Sequence, residues 1–311
     1  MRFWLRQWSC FVLAGALYLA LATGASAQVV VTVDGDTAYA TISLTDNNGV
    51  TYDADVTIVF DTPQNLTPQA LNLTATIADV NDVNRRLRGD GNANCLLGLL
   101  NCPTIDPDFP IVVTVEPIDF PWLFRDGFET TTDAFDGFND LSFLNTYQMD
   151  IHTHDLSYVN NSPYRLYKAP VDGNFHDVTN DVLPGSVRVR GRGGAFSDFV
   201  VASDTRLPLT VSLQKILQLN ARIVVAAISD GLRLDLLTLL AKVDTLILVD
   251  VVGALAALDE LIDLIDLNAG TEIANVWSAH RDVVNDAGEM TELADTLRFS
   301  MVRLLGGTAN P

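Results

Sequence analysis

Short aliphatic and β-branched runs, alternating with polar positions, fill the first two thirds of the chain. The runs end at turn-forming residues, as at Asp34-Gly35 and Asn48-Gly49. Strand signals at hairpin spacing, without a long helical pattern between them, favour antiparallel strands over a parallel βαβ sheet. We therefore expect residues 28–205 to form an antiparallel β-sandwich-like domain. The runs are VVVTV, TAYATISL, ADVTIVF, ALNLTATI, IVVTVEP, YQMDIHTH, SVRVRGRG and FSDFVVAS.

The apolar period changes after Leu207-Pro208. Steps of three and four residues between apolar positions are typical of amphipathic helices, and they predict a helical domain over residues 209–306. One stretch begins after Gly231 and extends to Leu267, with room for a break, and Gly270 follows where a helix C-cap belongs. The fold class expected for the whole chain is α+β, with a C-terminal α-helical bundle.

Two more helices are expected before the C-terminus. The last one begins with capping-box spacing at Asp286 and Glu289 and ends at Gly306-Gly307. The one before it is indicated by apolar positions at Ile273, Val276, Trp277, His280 and Val284.

Two segments rich in glycine and aspartate interrupt the strand pattern. They cover residues 84–108, which include RGDGNANC, and residues 124–141, which read FRDGFETTTDAFDGFNDL. Such composition is typical of surface loops. We expect both to be insertions on the surface of the β-rich domain.

The N-terminus has the composition of an export signal. Arg2 and Arg6 precede an apolar run over residues 11–22, and Ala25-Ser26-Ala27 has the small-residue pattern of a cleavage site. The apolar run is too short for a retained membrane anchor. We expect residues 1–27 to be a signal peptide, the mature protein to be periplasmic or secreted, and no transmembrane segment to remain.

The charge balance narrows the range of partners. The chain carries a net charge of −20, and loss of Arg2 and Arg6 with the signal would leave 17 basic residues against 39 acidic ones. Nucleic-acid binding needs basic side chains that replace counterions on phosphates, and so acidic a protein repels a polyanion over most of its surface. Nucleic acid is therefore excluded as an expected partner.

Cys95 and Cys102 are the cysteines that remain after signal removal. In an oxidising compartment two cysteines that flank a short loop predict a disulfide. Two free thiols or a metal-binding pair are the alternatives, although no further cysteine lies nearby to complete a thiolate site.

The segment 246–267 contains the most apolar part of the mature chain, LILVDVVGALAAL. Asp250 falls inside this run, and four acidic residues follow the run before residue 267, so the segment does not predict a membrane span. A helix buried in its bundle is one interpretation. The other is self-association through this helix.

His152 and His154 lie one residue apart in YQMDIHTHDLS, so on a strand they share one face. Two imidazoles at this spacing can reach one zinc ion if Asp155, His176 or Asp177 completes the site. The alternative is an ordinary half-buried strand, with Gln148, Asp150, His152 and His154 towards solvent and Tyr147, Met149, Ile151 and Thr153 towards the core. Alternation accounts for all eight residues, so no metal site is assigned.

The triplet HTH resembles the end of the first barrel strand in amidohydrolases and in polymerase-and-histidinol-phosphatase-type phosphoesterases. Those families carry their metal ligands on a parallel β/α barrel, whereas this neighbourhood is antiparallel. A calcium loop is a further hypothesis at Asp90, Asn92 and Asn94, but the sixth and twelfth positions hold Cys95 and Asn101 instead of glycine and an acid. Zinc and calcium therefore remain open, and no cofactor is assigned.

Arg188, Arg190 and Arg192 alternate with valines and form a basic stripe on one strand face. Solvated outward residues are one interpretation. Our alternative hypothesis is that the stripe docks on acidic helices within one chain or between two. The acidic residues proposed for this contact are Asp259, Glu260, Asp263 and Asp266.

Two segments resemble known sequences. LFRDGFE is similar to a short segment common in exported proteins of gammaproteobacteria, and IHTHDLSYVNNSPYRLYKAP, with the later GSVRVRGRGGAFSDFVVASDTR, resembles an uncharacterised family of secreted bacterial proteins. The resemblance implies secretion and a β-rich domain, and no activity comes with it.

No nucleophile elbow, phosphate loop or dinucleotide fingerprint is present, so no catalytic residue is assigned. We expect a non-enzymatic structural or binding module of the cell envelope or secretome. A metal-dependent hydrolase that uses His152 and His154 is the alternative.

Overall fold

The computed structural model describes residues 27–89, 101–117, 141–170, 173–279 and 284–306. Within these ranges the chain forms two antiparallel sheets and six helices. The expected α+β class is therefore confirmed, with twelve of the described strands before residue 204, the short strand β13 at Val276–Ser278, and the long helices after residue 207.

The large sheet has the strand order β1-β2-β3-β7-β11-β10 in the described residues, and β13 also pairs with β7. Its longest strands, β3 and β7, lie side by side at the centre, and buried and outward residues alternate over residues 52–60 and 147–153. The strands are β1 (Ala27–Asp34), β2 (Thr37–Thr45), β3 (Thr51–Gln64), β7 (Ser142–Ser157), β10 (Thr179–Leu183), β11 (Ser186–Gly193) and β13 (Val276–Ser278).

The small sheet has the order β4-β6-β12-β8-β9, and β5 also pairs with β12. Side chains from both sheets, such as Ile151 of β7 and Phe199 on the neighbouring sheet, belong to one hydrophobic cluster. The strands of the small sheet are β4 (Leu73–Ile77), β5 (Thr104–Ile105), β6 (Ile111–Val115), β8 (Tyr164–Ala169), β9 (His176–Asp177) and β12 (Asp198–Ser203).

The four long helices follow the sheets and share a separate hydrophobic cluster. No helix in the described part of the chain combines the length and hydropathy needed to cross a membrane. The helices are α1 (Pro68–Leu71), α2 (Val80–Leu87), α3 (Pro208–Val225), α4 (Asp230–Leu246), α5 (Val251–Asn268) and α6 (Asp286–Leu304).

The predicted stretch up to Leu267 is two helices. Helix α4 ends at Leu246, and Asp250 caps α5, because its side chain accepts a hydrogen bond from the backbone of Gly253 at 3.0 Å. Gly270 adopts a φ of +74° just beyond α5, as expected for a residue that follows a helix C-cap. Helix α5 buries one face in the helical cluster, and self-association through residues 246–267 remains a prediction.

The helix expected around Trp277 is wrong, since Val276–Ser278 forms strand β13. Trp277 pairs with Phe143 in the ladder between β13 and β7, and the two rings stack at 5.2 Å between centroids. A long-range aromatic contact therefore overrides the three- and four-residue apolar spacing. The last helix is also capped one residue earlier than expected, by Asn285, whose side chain accepts from the backbone of Gly288.

Several predictions fall on residues that the structure does not describe. Cys95, the three calcium candidates at positions 90, 92 and 94, His280, and all of residues 124–141 except Leu141 lie outside the described ranges. Of the first expected insertion, residues 84–87 belong to α2 and Thr104–Ile105 forms β5. The disulfide between Cys95 and Cys102 stays a prediction.

Candidate functional site

The histidine pair lies at the centre of the large sheet, on the outer face of β7. Met149, Ile151 and Thr153 are buried between the outward positions, and His152 and His154 point away from the core. The alternation expected for this strand is therefore confirmed. The side chains of His152 and His154 are 26% and 44% exposed, so solvent reaches both imidazoles.

Asp55 of β3 is brought against the pair by the strand register. In the antiparallel ladder Asp55 lies directly opposite His152. Its Oδ2 atom is 2.9 Å from Nε2 of His154 and 3.9 Å from Nδ1 of His152. One carboxylate and two imidazoles therefore face each other on two adjacent strands, a donor set that suits zinc and similar ions.

Hydroxyl groups on the flanking strands orient two of these side chains. Thr41 of β2 donates to Oδ1 of Asp55 at 3.2 Å, so the other carboxylate oxygen faces the histidines. On the opposite side, Nε2 of His152 contacts the Ser186 hydroxyl of β11. A register shift between Ser186 and Arg188 interrupts the pairing of β11 with β7 at this point.

The surroundings of His152 favour its neutral form over the protonated one. Burial, the positive charge of Arg188 and the neighbouring His154 lower the pKa of His152 below its ordinary value, and Asp55 and Asp150 offset this only in part. A neutral imidazole retains a lone pair that can bind a metal ion.

The structure does not bring the three predicted closing residues to the pair. Asp155 is exposed and accepts a hydrogen bond from the backbone of Asp53 at 3.3 Å. His176 and Asp177 are on β9 of the other sheet, where they contact Glu292 and Lys215. Alternation along one strand reveals which residues share a face but not which strand lies beside it, and this is why Asp55 was missed.

A groove of about 390 Å³ adjoins the histidines on the outer face of the sheet. Asp150 lines the groove and pairs with two arginines, with distances of 3.0 Å to Nη2 of Arg190 and 3.5 Å to Nε of Arg188. The groove is lined by Asp55, Thr57, Val59, Gln148, Asp150, His152, Arg188 and Arg190.

Of the basic stripe, only Arg192 forms an ion pair with a helix among the described residues. Its Nη1 atom is 2.8 Å from Oδ2 of Asp295 on α6. The prediction that the stripe docks on the acidic face is wrong in part, because Asp259 and Glu260 pair instead with Arg298 and Lys242, which are themselves on helices. The positive charge of Arg192 does act on Asp266, but burial outweighs it and raises the pKa of that carboxyl.

A buried set of charges joins the small sheet to α6. Glu292 is 3% exposed, and its carboxylate accepts from Lys168 of β8, from His176 at 2.9 Å and from the backbone of Gly194 at 3.1 Å. Lys168 is only 6% exposed. Burial alone would raise the pKa of Glu292, but Lys168 and His176 lower it to about 2.

A second buried pair joins α3 to the same sheet. Nζ of Lys215 is 2.6 Å from Oδ2 of Asp177 and also donates to the hydroxyls of Thr296 and Ser300 on α6. Burial lowers the pKa of Lys215 to about 8, although Asp177 opposes this shift. Its partners occupy the amine, so these charges hold helices against strands and are not assigned to a reaction.

The described contacts divide the charged residues into two groups. One is buried between helices and strands, and the other is accessible on the outer face of the large sheet.

No curated protein and no solved structure matches the chain. The model of a family of unknown function, DUF6689, matches residues 14–305, which is nearly the whole chain. The chain therefore belongs to this family of unknown function, DUF6689.

Proposed function

We propose that this protein is an exported, non-enzymatic binding module of the cell envelope or secretome, and that it binds a polar partner through the outer face of its large sheet. In this proposal the two sheets form a β-sandwich-like body and the C-terminal helices form a bundle beside it. The observation that carries the proposal is the groove on the outer face, which lies on the long central strands β3 and β7 and on β11.

The lining of the groove supports binding of a polar ligand. All of its residues except Val59 are polar or charged. Asp150 pairs with Arg188 and Arg190, yet their side chains remain 43% and 30% exposed, and each guanidinium has five N–H donors, more than these contacts use. Because the side chains project from paired strands, the groove is preorganised, and little conformational entropy is lost on binding.

Cosedimentation of the purified protein with an isolated cell-envelope fraction tests this function. Thr57→Trp fills the groove without removing a charge, and Thr238→Trp is the matched control on the exposed side of α4. We expect the wild-type protein and the control to sediment with the envelope and Thr57→Trp to stay in the supernatant. A wild-type protein that does not sediment, or a Thr57→Trp variant that sediments equally, would contradict the proposal.

Export is supported by the N-terminal pattern of two arginines, an apolar run and Ala25-Ser26-Ala27. Expression in a bacterial host should release a chain that begins at Gln28 into the periplasm or the medium. Mass spectrometry of the fractionated protein measures this end. An unprocessed chain in the cytoplasm would refute export and leave binding by the groove to be judged separately.

A metal-dependent hydrolase is the second candidate. The observation that favours it is the approach of Asp55 to His152 and His154, because catalytic zinc sites commonly use three protein ligands and leave a position for water. Hydrolysis of activated ester and phosphoester substrates, measured with added zinc, should then disappear in His152→Ala. Equal rates in wild type and variant would eliminate this candidate.

A further inference from the structure

Three potential metal ligands converge on the outer face of the large sheet. The ligand atoms of Asp55, His152 and His154 all lie within 4.8 Å of one another. A tetrahedral zinc ion with bonds of about 2.0–2.1 Å to nitrogen and oxygen holds its ligand atoms about 3.3 Å apart. The distances from Asp55 Oδ2, 2.9 and 3.9 Å, lie on either side of that value. Small side-chain rotations therefore suffice to close the site.

All three ligands lie on paired strands, so no loop is needed to position them. His152 and His154 are two residues apart on β7, and Asp55 is directly opposite His152 in the continuous ladder with β3. Central strands of a sheet hold side chains more exactly than loops do. The Thr41 hydroxyl fixes Asp55, and the Ser186 hydroxyl contacts the far nitrogen of His152. Hydrogen bonds of this kind accompany ligands in most protein metal sites.

The contacts of His152 also select its tautomer. Nη2 of Arg188 lies 3.4 Å from Nδ1 of His152 and can only donate, so Nδ1 is the acceptor and Nε2 carries the hydrogen directed at Ser186. Nδ1, which thus carries a lone pair and no hydrogen, lies 3.9 Å from Oδ2 of Asp55. Arg188 competes with a cation there, but it has a second partner in Asp150, 3.5 Å from its Nε.

We propose that Asp55, His152 and His154 bind one divalent transition-metal ion, Zn²⁺ or an ion of similar ligand preference. Two imidazoles favour zinc, copper or nickel over calcium and magnesium, which prefer oxygen ligands. The exposed sides of His154 and Asp55 leave room for water or for a donor group of a ligand in the remaining coordination positions. This site does not depend on the export or the envelope binding proposed above.

Zinc titration of the purified, chelator-treated full chain against a competing indicator tests the site. We expect one saturable Zn²⁺ per chain. Asp55→Ala and His152→Ala should each weaken binding roughly 100-fold or more, and Ser186→Ala, which keeps all three ligands, roughly tenfold. Asp155→Ala is the matched control, because it removes the same charge next to His154 without removing a ligand, and its affinity should fall by no more than roughly fivefold, the effect of one nearby charge.

A fifth variant separates a metal site from an ordinary surface ion pair. Arg188→Ala removes the competing cation and should tighten zinc binding by roughly fivefold to tenfold, as expected for one like charge at this range. Circular dichroism checks that each variant is folded. If Asp55→Ala does not fold, Asp55→Asn takes its place, because it preserves the shape of the side chain. The proposal is overturned if the wild type has no saturable zinc binding, if Asp55→Ala and Asp55→Asn bind as the wild type does, or if Asp155→Ala is weakened as much as they are.

Discussion

Removal of the Glu292 carboxylate tests whether buried charges hold α6 against the sheets. Its two oxygens accept from Lys168, His176 and the backbone of Gly194, and both Glu292 and Lys168 are almost completely buried. Glu292→Ala leaves the Lys168 ammonium without its partner in a region that excludes water. We expect this variant to fold with much lower stability than the wild type.

Two independent arguments give the same size for the loss. Breaking a buried ion pair by removing one partner costs about 3–5 kcal/mol, because the remaining charge is uncompensated. The pKa of Glu292 is lowered from 4.5 to about 2, since the effects of Lys168 and His176 outweigh that of burial. At about 1.4 kcal/mol for each pKa unit, this shift corresponds to about 3 kcal/mol by which the folded state favours the ionised carboxylate after the cost of burial.

The same pKa gives the pH dependence its sign. A carboxylate with a lowered pKa in the folded state stabilises the fold fully above its unfolded pKa, and that contribution is lost as the pH falls through the folded pKa. For Glu292 the window extends from pH 4.5 down to about 2. The difference in unfolding free energy between the wild type and Glu292→Ala should therefore shrink across this window.

Urea unfolding followed by circular dichroism measures both effects. Glu260→Ala is the control, because Glu260 also pairs with a lysine, Lys242 at 3.1 Å, but the two side chains are 56% and 48% exposed. An exposed pair contributes less than about 1 kcal/mol. Equal and small losses in Glu292→Ala and Glu260→Ala would refute the reasoning that the buried carboxylate anchors α6.

Three further predictions concern packing and cross-linking. Gly194→Ala should lower the unfolding free energy by about 1–3 kcal/mol, because an added Cβ would lie 2.4 Å from backbone atoms of α6; urea unfolding measures this. Lys215→Met should lower the unfolding free energy by about 3–5 kcal/mol, because it leaves the Asp177 carboxylate without its lysine. Adding Asp177→Asn should recover most of that loss. If the double variant recovers nothing, the charge of Asp177 is not the cause. If Cys95 and Cys102 form a disulfide, thiol titration of the exported, unfolded protein will detect no free thiol before reduction and both thiols after it.

Local signals in the sequence determined most of the secondary structure. The alternation of β7, the hairpin turns with positive φ at Gly35 and Gly49, and the cap at Asp250 all depend on residues a few positions apart. Such patterns act through short-range sterics and hydrogen bonds, so they can be recognised without the fold. The packing role of Gly194, which lets α6 approach the sheet closely, has no such local signal.

The candidate site and the charges beneath the helices were decided only by the tertiary structure. Asp55 and His154 are 99 residues apart in the chain, and Lys168 and Glu292 are 124 apart. Periodicity identifies the face of an element on which a side chain lies, whereas strand order and helix docking decide what it meets there. The sequence by itself therefore determined that His152 and His154 share an outward face, and the pairing of β3 with β7 supplied the carboxylate that makes them a candidate metal site.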